Sequence, residues 1–535
     1  MAETKAVDSQ DDFVEGPVVC PSHDDARSEH VRLWYSVRRW HKLVGYCVAL
    51  SSAILLYGYD FVIIGTVSAM PAFKHNFGRE LNHSYIIPTA WLSLWSAVGP
   101  IGMMAGSITV GHLQDRRGRR ASLALGSMLS AVAIALCYVS DLPESIDSRR
   151  GVFLTGKLFQ GFATGMMLCV TQTYMSEVLP TILRGPIIAC FPIFTLLGQL
   201  LGAVVVHVCL KSKSAESYRI CFASQWVLSA LPLVVAAFLP ESPAWLKRRN
   251  KNDKALNSEQ RLGIAEFDTR VIVEDLRAFS VFREQTRNSN SPSYVDCFKG
   301  THRRRTFIIA FASILPQLFG LTLLANASYF LEIVGMDANN STVFLILGIA
   351  LGLISNTVSL WTLNSVGRRI LTLTTLGIAA ILWLSMGIAG CFSGVVITWY
   401  TAVSMMAIIV VCGVGVWPAS HVIAAETSSL HLRAKAQGIG WFSFALTSVI
   451  FSLVLPYIYN ADQGNLSAKT GFVMAGFTVM GFIGAYITIP ETKGRTPMQI
   501  DRMFDLELPA GEFKYWQSGI ASDPHMNERM TALHH

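Results

Sequence analysis

A transmembrane α-helix needs roughly 20 consecutive apolar residues. Runs of that length follow one another along nearly the whole of this chain. They fall near 44–64, 86–112, 120–140, 151–172, 186–206, 222–239, 306–325, 342–362, 371–391, 396–418, 436–457 and 471–489. The pattern predicts an all-α membrane protein with twelve spans. One long hydrophilic stretch, 247–304, interrupts the series after the sixth run. It separates a half over 44–246 from a half over 305–490, with polar tails over 1–43 and 491–535.

Composition agrees with the pattern. Of 535 residues, 52% are hydrophobic and 15% charged, against about 25% charged in an ordinary soluble domain. The mean hydropathy is +0.42. The net charge of +7 needs no nucleic acid, because cytoplasmic loops of membrane proteins carry excess Lys and Arg. The N-terminal tail has no apolar core of the kind found in cleavable signals, so the first span is expected to act as the insertion signal. The ten cysteines are scattered and read mostly as small buried hydrophobes. Cys209 and Cys221 flank a predicted outer loop and are the pair that a bridge would use.

Basic residues set the orientation. Arg116, Arg117, Arg119 and Arg120 lie between spans two and three, Arg368 and Arg369 between spans eight and nine, and Arg433 and Lys435 after span ten. The central stretch opens with Lys247, Arg248 and Arg249 and closes with Arg303, Arg304 and Arg305. These place both termini and the central stretch in the cytoplasm. Arg149, Arg150, Lys211 and Lys213 are exceptions on the outer side. The sequons at Asn82, Asn339, Asn340 and Asn465 also fall on the outer side, where N-glycosylation would take place.

The two halves repeat a local pattern. Gly111-His112-Leu113-Gln114-Asp115-Arg116-Arg117-Gly118-Arg119-Arg120 in the first corresponds to Asn364-Ser365-Val366-Gly367-Arg368-Arg369 in the second. Glu177 followed by Arg184 corresponds to Glu426 followed by Arg433. Such repeats mark transporters with a central site between related halves. The Gly111–Arg120 loop resembles the signature between helices two and three of major facilitator transporters. Pro240-Glu241-Ser242-Pro243 and Pro490-Glu491-Thr492-Lys493-Gly494-Arg495 resemble the paired signatures of sugar porters, and Gly58-Tyr59-Asp60 is similar to that family too. Glu426-Thr427-Ser428-Ser429, Ala468-Lys469-Thr470-Gly471-Phe472 and the tail from Ile500 to Ala510 resemble the fungal α-glucoside and hexose branch. The resemblance implies a major facilitator fold, alternating access and proton-coupled transport of a sugar or polyol. It implies a protein of the plasma membrane that works as a monomer, without a cofactor. Its partners would be the small-molecule cargo, protons and the lipid bilayer.

Two sets of charged residues stand out. Asp60 lies inside an apolar run, where a carboxylate is costly and usually marks an ion or proton path, with a static buried ion pair to Lys157 as the alternative. Lys157 opens the fourth span where the family has an Arg that pairs with the span-one Asp. A Lys keeps the charge but not the bidentate fork. At the cytoplasmic mouth, Asp115, Arg116, Arg119 and Arg120 are expected to form ion pairs with Glu177, Arg184, Glu241, Glu426, Arg433 and Glu491. Such pairs would bias a two-state equilibrium between the halves. Asn364 stands where the family often has Asp, which predicts a weaker network in the second half.

Candidate cargo contacts are Gln172, Gln199, Gln317, Thr322, Asn326, His421 and Trp441. Polar side chains also hold membrane helices together, so helix–helix bonding is the alternative for each. The family resemblance thins here. Pro192 and Pro316 replace glutamines, Thr322 an Asn, His421 an aromatic residue, Gly440 an Asn, and Ala244 the Arg after Pro-Glu-Ser-Pro. A same-fold transporter of a non-sugar metabolite, exported from a fungus, is therefore the rival reading, and a transport-dead sugar sensor a third. An enzyme is not expected. The chain has no Walker-type loop and no HExxH, and His41, His112, His207 and His421 are too dispersed for a metal site.

Overall fold

The computed structural model describes residues 37–68, 70–81, 84–209, 216–263, 293–392, 394–429, 432–459, 464–495 and 497–516. Among these residues, eleven helical stretches are long and apolar enough to cross a bilayer. Six precede the central stretch: His41–Val67, Thr89–Arg117, Arg119–Tyr138, Ile146–Val178, Leu183–Cys209 and Glu216–Phe238. Five follow it: Asn340–Val366, Arg368–Ala389, Val395–Thr427, Arg433–Tyr459 and Ser467–Thr488. They are spans one to six and eight to twelve of the sequence pattern.

Span seven differs from its expectation as one continuous helix. It is built from three pieces, Gly300–Leu318, Leu321–Ala325 and Ala327–Val334. The cause is local. Pro316 lies inside the first piece and cannot donate to the helical ladder. Gly320 then turns the chain at φ +100°, a conformation that L side chains resist. Broken backbone at membrane depth must find other partners, and it does. Trp383 Nε1 of span nine donates to the Phe319 carbonyl at 2.9 Å, and Thr478 Oγ1 of span twelve to the Leu318 carbonyl at 3.2 Å. Span ten breaks at Gly415, and the freed N–H of Val416 is taken up by Thr375 Oγ1 at 3.0 Å.

Close packing of the spans rests on small residues, as expected between membrane helices. Gly102 and Gly106 of span two face span four, while Gly161 and Gly165 of span four face span two. A Cβ on any of the four would lie 2.5 Å or less from a backbone oxygen of the partner helix. On the outer side, the helix Pro71–Phe77 and the two-stranded hairpin of Arg79–Leu81 with Ser84–Ile86 close over the first half. Phe73 and Phe77 stack there at 4.4 Å and meet Trp95, Phe153 and Tyr218 edge-on or tilted. Arg150 is no stray outer charge. Its guanidinium donates to the carbonyls of Phe77 and Gly78 at 2.9 and 3.1 Å and pins this cap. Cys209 and Cys221, at the ends of spans five and six, are free thiols.

In Gly320→Ala, the new methyl would lie 2.8 Å from the Trp383 ring at a positive φ. The substitution should cost at least about 1–2 kcal/mol, read as a lower apparent Tm of the purified protein. Gly476→Ala, which meets nothing within 4 Å, should leave Tm unchanged.

Candidate functional site

Asp60 and Lys157 meet inside the first half. Lys157 Nζ donates to Asp60 Oδ1 at 2.6 Å, and the lysine side chain is 2% exposed. Three residues further along span four, Gln160 accepts from Ser130 Oγ at 3.0 Å. The predicted pair is therefore a direct contact, with Lys157 buried and Asp60 partly exposed.

At the cytoplasmic ends, each half builds the same clamp. Gly118 and Gly367, at φ +95° and +105°, turn the chain from span two into three and from span eight into nine. Glu241 accepts from the backbone N–H groups of Arg119 and Arg120 at 2.8 and 3.3 Å. Glu491 accepts from those of Arg368 and Arg369, both at 3.0 Å. A carboxylate at a helix N-terminus satisfies N–H groups that have no partner within the helix and offsets the helix dipole. The glycines are required there, since a Cβ would lie 2.3 Å from Glu241 at Gly118 and 2.6 Å from Glu491 at Gly367. Burial pushes the Glu241 carboxyl above its ordinary pKa, and its backbone amide donors pull it back down.

The arginine side chains turn inward. Arg119, fully buried, forks onto Glu177 with contacts of 3.0 and 2.6 Å. Glu177 also accepts from Ser242 Oγ at 2.7 Å and Arg248 Nη2 at 3.0 Å. In the second half, Arg368 donates to Glu426 at 3.0 Å, and Thr492 Oγ1 does so at 2.6 Å. Among the described residues, Arg120 and Arg369 join no ion pair and donate to carbonyls at the ends of spans six and twelve. Arg116 is exposed, and its carbonyl accepts from Arg249 at 3.2 Å.

The two halves touch across the same face. Lys435 Nζ of span eleven reaches Asp115 of span two at 2.7 Å. Arg433 donates to the Ser176 carbonyl of span four at 2.6 Å and to Ser428 Oγ at 3.1 Å. Gly111 of span two packs beside Ala434. Arg184 donates to the Leu179 carbonyl at 3.2 Å, near the start of span five. The cytoplasmic side is thus closed by bonds between the halves.

The candidate cargo residues divide into three groups. Thr322 and Asn326 line an outer cleft of about 480 Å³, with Ser68 and Ser96 from the first half and Tyr329, Ser452 and Tyr459 from the second. Gln199 lines a second, open hollow, where the other eight lining residues are apolar, Trp417 and Phe319 among them. Gln317 sits behind Thr322 and accepts from its hydroxyl at 2.5 Å. Gln172, His421 and Trp441 form a separate cluster. Gln172 Nε2 donates to the His421 carbonyl at 3.4 Å, and the His421 ring stacks on Phe191 at 5.4 Å and tilts against Trp441 at 5.7 Å. Gln199 Nε2, Gln317 Nε2 and Trp441 Nε1 are buried without a hydrogen-bond partner among the described residues.

Residues 44–504 match the family described as "Sugar (and other) transporter". The chain belongs to that family. A relative, the MFS transporter fmqE of Aspergillus fumigatus, is 31% identical over 87% of this chain and 86% of its own length. The maltose permease MAL61 of Saccharomyces cerevisiae is 27% identical over 92% of this chain and 80% of its own. The fold is that of the proton:xylose symporter XylE solved with 6-bromo-6-deoxy-D-glucose, at a TM-score of 0.75 and 20% identity. The match covers 87% of this chain and 99% of that one. This sugar-transporter family member is a multi-pass membrane protein and a secondary transporter, with related proteins that are permeases and not enzymes.

Several residues of this transporter's charge network were not singled out from the sequence as clamp members. Ser242 and Thr492 complete the clamps, and both occupy the place after the signature glutamates, so the half repeat marks them. Arg248 and Lys435 also serve as topology signals, since a cationic residue near a span end has that use whatever it contacts. Among the sequons, Asn82 lies outside the described residues, as does the side chain of Asn339. Asn340 and Asn465 are exposed on the outer side.

Removing one partner of a buried ion pair costs about 3–5 kcal/mol, because the other charge stays buried alone. Glu177→Ala should show a loss of that size in unfolding measurements on the purified protein. Arg248→Ala should cost less, since Arg119 and Ser242 remain on Glu177.

Proposed function

We propose that this protein couples the movement of a sugar or polyol across the plasma membrane to that of a proton. The observation that carries the reading is the Asp60–Lys157 contact of 2.6 Å inside the first half. While the pair is intact, the ammonium of Lys157 and the carboxylate of Asp60 are each other's counter-charge. A proton reaching Asp60 discharges the carboxylate and frees the ammonium from its partner. The two charge states then favour different arrangements of spans one and four, which is the differential interaction that a conformational shift requires. Related proteins support the cargo class, being by name a maltose permease and a proton:xylose symporter. The hydroxyl- and amide-lined outer cleft suits a polyhydroxylated molecule, with Thr322, Asn326, Ser452 and Tyr459 as its partners.

A second reading, transport of a non-sugar small molecule, draws on the hollow lined by Gln199. Eight of its nine lining residues are apolar. A hexose hydroxyl left unpaired against such a wall costs about 1–3 kcal/mol. Labelled uptake into a yeast that lacks its own hexose transporters separates the two. Growth on glucose or maltose supports the first reading, and absence of uptake for every sugar and polyol supplied removes it.

One pH unit is worth about 1.4 kcal/mol per proton, or tenfold accumulation at one-to-one coupling. Proteoliposomes bearing the wild type should therefore concentrate labelled cargo about tenfold per unit of imposed pH gradient. Asp60→Asn should bring it only to equal concentrations while retaining exchange of labelled for unlabelled cargo. Full accumulation by the mutant would remove Asp60 from the coupling step.

A further inference from the structure

The central stretch between the halves ends in a short 3-10 turn, Val295–Phe298. Thr306 Oγ1 of span seven donates to the Cys297 carbonyl at 2.7 Å, so the turn is tied to the second half. The residue before it, Tyr294, reaches the other way. Its hydroxyl donates to the Ile108 carbonyl of span two at 2.7 Å, and its ring lies 5.2 Å from that of His112. Lys435 Nζ lies over the same ring at 5.2 Å from the centroid, and that ammonium is the one paired with Asp115. Two glycines, one from each half, leave room for the hydroxyl. A Cβ on Gly111 would lie 2.2 Å from it, and one on Gly438 3.1 Å. The slot is thus formed by span two and span eleven together, and the tyrosine that fills it belongs to the connecting segment.

We propose that Tyr294 is a positioning residue of the transport cycle that latches the seam between spans two and eleven. Carried by the second half, it holds Lys435 against Asp115, and its bond to Ile108 must break each time the cytoplasmic side opens. The proposal rests on the reading that the halves part at this seam during transport. It does not depend on what the cargo is. An aromatic face fixes a cation that would otherwise choose among several rotamers, and the hydroxyl adds one directed bond across the seam. A net hydrogen bond of ordinary strength changes an equilibrium by about 2- to 10-fold.

Two native thiols report on this directly. Cys169 of span four is buried at the seam, with its Sγ 4.0 Å from the Ala434 carbonyl of span eleven. Cys297 is buried in the turn beside Tyr294. The experiment is peptide-resolved alkylation by N-ethylmaleimide of the full chain in nanodiscs, without cargo. Buried thiols react through transient opening, so their rates follow the open population. In Tyr294→Phe, Cys169 should react about 2- to 10-fold faster than in the wild type, while Cys297 keeps its wild-type rate. Gly111→Ala, which crowds the hydroxyl out, should have a similar effect alone. It should add little in a Tyr294→Ala background, because the two changes act on one contact. An unchanged Cys169 rate in both Tyr294→Phe and Tyr294→Ala overturns the proposal. So does a joint rise of Cys169 and Cys297, which would make Tyr294 a tether of its own turn. Because no cargo is present, either outcome leaves the reading of the cargo untouched.

Discussion

A charge taken into a membrane protein's interior has to bring its partner with it, since an uncompensated ion there costs several kcal/mol. Much of this architecture follows from that demand. Arg119 is fully buried because Glu177 from span four forks onto it. That contact fixes where the cytoplasmic ends of spans three and four can sit. Glu241 brings the segment after span six against the start of span three in the same way. Asp60 and Lys157 do it deeper, joining spans one and four. The apolar runs set how many helices cross the bilayer, but they do not say which helix lies beside which. The paired charges, with the glycine contacts of spans two and four, supply that information.

The two clamps are copies, and their likeness has a mechanical meaning. Each ties three spans of its own half, through an arginine, a glutamate, a hydroxyl and a second glutamate at a helix start. Bonds within a half stiffen that half, so that motion is confined to the boundary between the two. Packed bodies that slide or rock over one another are the usual form of such a transition. The clamps of this protein accordingly read as what keeps each half a body, rather than as the contacts that open and close.

How much of this was legible depended on whether a feature is local in sequence. The spans were legible, because an apolar run is a property of consecutive residues. The clamp residues Gly118, Arg119, Gly367 and Arg368 were legible through the half repeat, which shows the same residues twice in the same order, and Glu241 and Glu491 through the paired signatures after spans six and twelve. Span seven was read as one helix because Pro316 and Gly320 are both tolerated in membrane helices. The break depends on Trp383 and Thr478, which lie far along the chain and accommodate the freed carbonyls. The cargo residues were least legible. Gln317 and Thr322 bond each other, and Gln172 bonds the His421 backbone. A polar residue in an apolar run looks the same whether it faces a cavity or another helix. The role of Arg150 was hidden for a like reason, since the carbonyls that it holds lie over seventy positions earlier.

Among the contacts that cross between the halves, the ion pair of Lys435 with Asp115 is not copied. Lys435 to Asp115, Arg433 to the Ser176 carbonyl and Tyr294 to the Ile108 carbonyl all run from the second half to the first. The repeat would place a matching acid at Asn364, and an amide there cannot form the corresponding ion pair. Along spans five and eight, Leu196 packs against Gly352. Directed polar bonds are lost within a small displacement, whereas apolar surfaces slide with little loss until water enters. The bonds along spans two, four and eleven must therefore break early in any parting of the halves, while contacts such as that of Leu196 with Gly352 persist longer. The cost of breaking the Lys435–Asp115 pair and the Tyr294 bond falls where spans two and eleven meet.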